Sequence, residues 1–160
     1  MKLIIRPTTE EDKDWVKEFT FANWGTDAKM TRGKIHYPYE LPGYISEVGS
    51  NKVGLITYRV SDTATEIITL NSWWESRGIG TALITAVKKE ARDNSSKRLF
   101  VLANNDHINA LRFYQKRGFR LVKIHRDAIT KARKIKPEIP SVGDHGIKIC
   151  DEIELELILN

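Results

Sequence analysis

Gly78 and Gly80 stand where an apolar run of strand type, Ile67-Ile68-Thr69-Leu70, gives way to a helical pattern. In that pattern Leu83, Ile84 and Val87 share one face, and Lys88, Lys89 and Arg92 share the other. A strand that breaks at small residues and reopens as a helix leaves the first helical N–H groups without intrahelical partners. Those donors and the positive end of the helix dipole make a site for a phosphate group. The two glycines let an anion approach backbone that a Cβ would cover.

Two common phosphate loops do not fit. A P-loop needs Gly-Lys-Ser/Thr at the helix start, which is absent. A dinucleotide fingerprint needs a third small residue where this chain has Leu83. Other groups of reactive type are weaker still. Cys150 and His145 lack an activating context for a nucleophile pair. His36, His107, His125 and His145 lack metal-ligand spacing, so no metal is expected. Trp73-Trp74 can stack on an adenine or pack the helix start against the sheet.

The stretch Glu75-Ser76-Arg77-Gly78-Ile79-Gly80 resembles the acyl-coenzyme A loop of the GNAT superfamily of N-acetyltransferases, Gln/Arg-x-x-Gly-x-Gly/Ala. It departs only at its first position, where Glu75 replaces Gln or Arg. Asn109-Ala110-Leu111-Arg112-Phe113-Tyr114-Gln115-Lys116-Arg117-Gly118-Phe119 is similar to the family's later motif, and one strand, Arg98 to Leu102, lies between the two. The likeness extends from about Lys2 to Arg126, and the last strand fits it. It implies an α/β fold with a mixed, mostly antiparallel sheet of about seven strands flanked by helices. The implied activity is transfer of an acetyl group from acetyl-CoA, as co-substrate, to a primary amine by direct attack in a ternary complex.

The resemblance also assigns roles. The backbone of Thr69, Leu70 and Asn71 pairs with the pantetheine arm, with the N–H of Leu70 on the thioester carbonyl. The pyrophosphate lies on the amides of Ser76, Arg77, Gly78, Ile79 and Gly80, and Thr81 is a further cofactor-binding residue. Tyr114 takes the place of the tyrosine that protonates the leaving thiolate; a phenol has a pKa near 10 and is protonated at neutral pH. The alternative for Tyr114 is a core aromatic beside Phe113. Asn109 corresponds to a coenzyme A contact or serves as a helix-start residue. Glu66 leads as general base, with Glu47 or a bound water behind it, and its other reading is a solvent-facing strand carboxylate. A carboxylate facing the pyrophosphate would repel it, so Glu75 points away while Arg77 compensates, and other acyl chains remain open.

Those groups must be held by the whole chain. A length of 160 residues suits one domain, 1–160, with a substantial core. Hydrophobic content of 41% and charged content of 29% are ordinary for a globular protein. The net charge of +5 favours a polyanionic ligand. One cysteine, Cys150, excludes an internal disulfide and favours a reducing compartment. The apolar run Leu3-Ile4-Ile5 is too short for a signal peptide and no segment is long enough to span a membrane, so a cytoplasmic enzyme is expected.

Leu3 to Arg6 reads as a first strand, and Thr8-Thr9-Glu10-Glu11-Asp12 starts a helix carrying Trp15, Val16 and Phe19 until Asn23-Trp24-Gly25 ends it. Residues 26 to 42 are poorly periodic, and the resemblance implies that they border the acceptor site; the loop from His36 to Tyr44 and the segment from Arg126 to Gly146 are expected to shape its pocket. Strands follow at Tyr44 to Val48, Val53 to Val60 and Ala64 to Asn71. Leu99 to Leu102 suits a strand buried on both faces. Residues 126 to 136 form a short helix or a long loop, and Glu152 to Leu159 alternates as an antiparallel strand.

Two rival classes remain. The basic run from Arg112 to Lys136 would suit a nucleic-acid or ribosome-binding module, although no RNP-type or helix-turn-helix signature accompanies it. An acyl-CoA sensor would keep the loop without turnover. The acceptor, a small-molecule or protein amine, is not legible, and a homodimer is left open.

Overall fold

A computed structural model describes residues 2–74 and 77–160. Its strands are β1 (Leu3–Pro7), β2 (Lys29–Thr31), β3 (Lys34–His36), β4 (Gly43–Val48), β5 (Asn51–Val60), β6 (Ala64–Ser72), β7 (Arg98–Asn104), β8 (Arg120–His125) and β9 (Glu152–Ile158). The helices are α1 (Lys13–Trp24), α2 (Ile79–Asp93), α3 (Ile108–Lys116) and α4 (Ala128–Ile135). Seven strands form one sheet in the order β1-β4-β5-β6-β7-β9-β8, and β2 pairs with β3 in a separate hairpin. Only β6 and β7 run parallel; every other pairing in the sheet is antiparallel.

The sheet lies between two helical layers because its strands alternate apolar residues on both faces. On one face α2 buries Ile79, Leu83, Ile84, Val87 and Ala91 against Ile56, Tyr58, Ile67, Leu99, Val101 and Leu155. On the other, Val16 and Phe19 of α1 cover Ile45 and Leu55. Truncating a fully buried leucine such as Leu83 costs about 2–5 kcal/mol in such a core. The first helix begins with a local trap: the Asp12 carboxylate accepts the Thr9 N–H at 2.8 Å, and Gly25 ends α1 with φ 72°.

The functional geometry comes from one interrupted pairing. β6 pairs with β7 only from Ala64–Arg98 to Ile67–Val101. Next to that point the β5–β6 register shifts, with Thr57 opposite Thr69 but Tyr58 opposite Ile67, so Ile68 is an extra residue on β6. Beyond it, Thr69 to Ser72 stay with β5 while Leu102 to Asn104 stay with β9, and the two strands part. The alternating C-terminal segment is interior, with β9 paired to both β7 and β8.

Two regions take a form that periodicity did not reveal. Residues 26 to 42 contain the β2–β3 hairpin, whose three-residue strands are too short to show a period. The basic segment after Arg126 is helical as α4, with Ile129 and Ala132 buried. Among the described residues no helix is long and apolar enough to cross a membrane.

Candidate active site

The start of α2 is built as the glycine pattern requires. Gly78 is the N-terminal cap with φ 75°, a left-handed conformation that suits glycine. Its carbonyl accepts the first intrahelical bond, from Ala82 N–H at 3.0 Å. A groove of about 300 Å³ beside this turn is lined by Leu3, Val48, Trp74, Arg77 and Ile79. Arg77 is exposed and sits 6.0 Å from the Trp74 ring centroid. Ser76 and Glu75, both singled out in the sequence, lie outside the described residues.

Gly80 has a packing duty that the motif did not announce. A Cβ placed there would lie 2.9 Å from Cζ of Phe113, so α3 closes directly onto the second glycine. Arg117 fastens the same junction, donating from Nε to Thr81 Oγ1 at 2.9 Å while its guanidinium lies 3.6 Å from the Phe113 ring centroid. Tyr114 is 6% exposed and rests edge-on between Phe113 and Phe119. Burial pushes its phenol above the ordinary value, which keeps it protonated across the neutral range. Asn109 is exposed at the start of α3 and accepts from Arg112 Nη2 at 3.2 Å.

Across the gap, Thr69 is buried and its hydroxyl bonds Thr57 Oγ1 at 2.6 Å. Leu70 and Asn71 are half-buried at the parted end of β6. Trp24, the last residue of α1, donates from Nε1 to Asn71 Oδ1 at 3.0 Å, and its ring lies 6.1 Å from that of His107, just past β7. Trp24 therefore spans the mouth between the two strands.

Glu66 is not a solvent-facing strand carboxylate. It is 3% exposed, one residue before the pairing with β7 ends. Arg59 Nη2 meets Oε1 at 3.3 Å, and Thr31 Oγ1 donates to Oε2 at 2.9 Å. The same Thr31 oxygen lies 2.9 Å from His36 Nε2. A hydroxyl has one proton, and it is used on the carboxylate, so the histidine donates through an Nε2–H tautomer. Burial lowers the His36 pKa, which favours this neutral ring. The hairpin thus delivers a buried chain, His36 to Thr31 to Glu66, that the sequence analysis missed.

The same hairpin supplies Lys29, whose ammonium is 4.8 Å from the Trp24 ring centroid. Burial pulls its pKa down to about 8, against the opposing pull of Glu66 and Glu152. Glu152 is buried too, accepts the Arg32 N–H at 3.1 Å, and is pushed upward by desolvation.

Glu47, the second carboxylate considered as a base, is placed elsewhere. It accepts from Arg6 Nε at 2.6 Å in an ion-pair group with Asp12 on the β1–β4 side of the sheet. The basic run is partly consumed internally. Arg133 donates to the carbonyls of Ile139, Pro140 and Ile149, and Lys136 donates to that of Ala28. Cys150 lies half-buried, and its sulfur meets the Lys148 carbonyl at 3.9 Å.

This parted sheet with a glycine-capped helix at its opening defines an acetyltransferase fold. The chain belongs to the acetyltransferase (GNAT) family, whose family model matches residues 9–119. Two proteins of Bacillus subtilis strain 168 are similar over nearly their full length. YxbD, described as uncharacterized, is 42% identical over 94% of this chain and 96% of its own. YdhI, described in the same way, is 37% identical over 99% of each. The fold matches an IAA acetyltransferase from Bacillus cereus ATCC 14579 with a TM-score of 0.71 at 20% identity, covering 99% of this chain and 100% of that one. A GNAT family acetyltransferase from Elizabethkingia anophelis with acetyl-CoA bound gives 0.68 at 22% identity, with 98% of each chain covered.

Proposed function

We propose that this acetyltransferase moves an acetyl group from acetyl-CoA to a primary amine by direct attack in a ternary complex, within one catalytic domain spanning 1–160. The observation that carries the reading is the parting of β6 from β7 beside the Ile68 bulge, with the α2 N-terminus at the opening. The bound acetyl-CoA of the Elizabethkingia protein supports the choice of co-substrate.

In this reading the pyrophosphate lies on backbone donors from Ser76, Arg77, Gly78, Ile79, Gly80 and Thr81. The helix-dipole field and unpaired N–H groups supply its binding. The pantetheine arm takes the free edge of β6 at Thr69, Leu70 and Asn71 as an added strand, leaving an N–H to polarise the thioester carbonyl. Asn109 contacts the coenzyme from the start of α3.

The acceptor must reach the thioester as a neutral amine. Glu66 takes its proton, directly or through a water, and the Thr31–His36 chain holds that carboxylate in place. The nitrogen attacks the carbonyl carbon, the tetrahedral oxyanion collapses, and the C–S bond breaks. Tyr114 then gives its phenolic proton to the departing thiolate. Lys29, Glu66 and Glu152 make the acceptor side charged in both senses, which suits an amine carried on a polar body. The lone cysteine supports a cytoplasmic setting.

The test is acetyl-CoA binding followed by coenzyme A release over a panel of amines. Ligand at about a hundred times its dissociation constant should stabilise the fold by roughly 2.7 kcal/mol. No thermal shift at millimolar acetyl-CoA removes the cofactor reading. Binding without release across amines and protein N-termini makes the chain a sensor.

A further inference from the structure

We propose that Asp106, His107 and Asp144 form a binding site for a first-row divalent cation of the Zn²⁺ type, at the corner where β7 turns into α3. The site is separate from the transfer chemistry described above. Asp106 is 2% exposed, and its Oδ2 accepts the Asp144 N–H at 2.9 Å. Its Oδ1 is also buried and has no hydrogen-bond donor among the described residues. Among the described residues neither Asp106 nor Asp144 is paired with a lysine or arginine. A buried carboxylate oxygen without a donor or counter-charge is costly, and a cation is one way to satisfy it.

The geometry around that oxygen fits an ion. His107 Nε2 is 3.8 Å from Asp106 Oδ1, too long for a hydrogen bond. Zinc holds imidazole nitrogen and carboxylate oxygen at about 2.0–2.2 Å, which puts two donors on one ion about 3–4 Å apart. Asp144 brings its carboxylate to the same place, so that one donor atom from each residue lies within 4.8 Å of the others. Asp144 is exposed and half-exposed His107 can turn, so the set can tighten around an ion while Asp106 stays fixed. The loop is built onto this carboxylate: the backbone at Gly143 runs so close to Asp106 Oδ2 that no side chain fits there.

The donors identify the class of ion. Two carboxylates and one imidazole suit Zn²⁺ or a neighbouring first-row ion, whereas Mg²⁺ and Ca²⁺ prefer oxygen throughout. Three protein donors are present among the described residues, leaving a position for water or an outside ligand. The ion would join the Asp144–Gly146 turn to the β7–α3 corner. His107 also packs near Trp24, whose indole holds Asn71 at the mouth of the sheet.

The experiment uses the untagged full chain, stripped with EDTA and titrated with ZnCl₂ by calorimetry and by thermal melting. One Zn²⁺ should bind per chain and raise the melting temperature, while Mg²⁺ at the same concentration does neither. His107→Gln and Asp144→Asn should each weaken Zn²⁺ binding at least about tenfold. His145→Asn, on the same turn, should bind like the parent. Circular dichroism of the stripped variants verifies that each is folded. Absence of a stoichiometric Zn²⁺ event overturns the proposal. So does equal affinity in His107→Gln, Asp144→Asn and the parent, which would put the ion elsewhere.

Discussion

Thr31 Oγ1 lies 2.9 Å from Glu66 Oε2 and 2.9 Å from His36 Nε2, joining three buried side chains from two different sheets. If Glu66 is the base, Glu66→Gln should lower turnover by about 10²-fold or more at saturating acetyl-CoA. Thr31→Val keeps the shape and removes the hydroxyl. It should lower turnover less, because the carboxylate stays in the site but loses the hydroxyl donor that fixes its position. Steady-state kinetics across pH, with any accepted amine, test both. Parent-like turnover in Glu66→Gln would leave solvent as the base.

Tyr114 is both a core aromatic and a proton donor in this scheme, and Tyr114→Phe separates the roles. The ring and its edge contacts with Phe113 and Phe119 remain. Turnover should fall by about 10²-fold or more, with little change in acetyl-CoA affinity. Burial raises the phenol pKa, so an alkaline limb due to Tyr114 should lie above that of a free tyrosine and vanish in the variant. Unchanged turnover at saturating acetyl-CoA would return the residue to packing alone.

What could be read along the chain was whatever depends on neighbours in sequence. The glycine pair at 78 and 80, the helix carrying Tyr114 and the alternation of β9 all express local period or local turn chemistry. The parting of β6 from β7 could not be read from periodicity, because one extra residue at Ile68 leaves no mark in the pattern. Glu66 became interpretable only once a hairpin 35 residues earlier folded Thr31 onto it. Glu47 stood second to Glu66 as a base in the sequence, and its partner is Arg6, across the β1–β4 edge of the sheet. The Asp106 environment was hidden likewise, since Asp144 arrives from 38 residues away.

Gly80 combines an anion approach with a close contact to Phe113, and one pair of variants separates them. Gly80→Ala alone forces a Cβ against a ring atom 2.9 Å away, which should cost about 1–3 kcal/mol of stability and weaken acetyl-CoA binding. Adding Phe113→Leu should relieve the crowding and recover much of the stability. If the backbone must also meet the pyrophosphate, cofactor affinity stays low in the double variant. Recovery of affinity together with stability would assign Gly80 to packing.

Asp12 fixes how the fold should respond to acid. Its hydrogen bond from Arg6 and the nearby Lys52 hold its carboxyl well below the usual range, despite burial that acts the other way. A carboxyl with a depressed folded pKa contributes stability that is complete above its unfolded value, near 3.9, and is lost as pH falls through the folded value. Asp12→Asn should therefore destabilise the protein at pH 7 by about 1–3 kcal/mol, the range for losing a charged hydrogen bond. Arg6 is 31% exposed on its side chain, so solvent screening keeps the loss at the lower end of that range. Thermal melts of both proteins should keep a constant gap from pH 7 down to about pH 4 and draw together below it, as the unfolded carboxyl takes up its proton before the folded one does. A constant gap down to pH 2 would show that Asp12 acts through its bonds to Thr9 at the helix entry rather than through its charge.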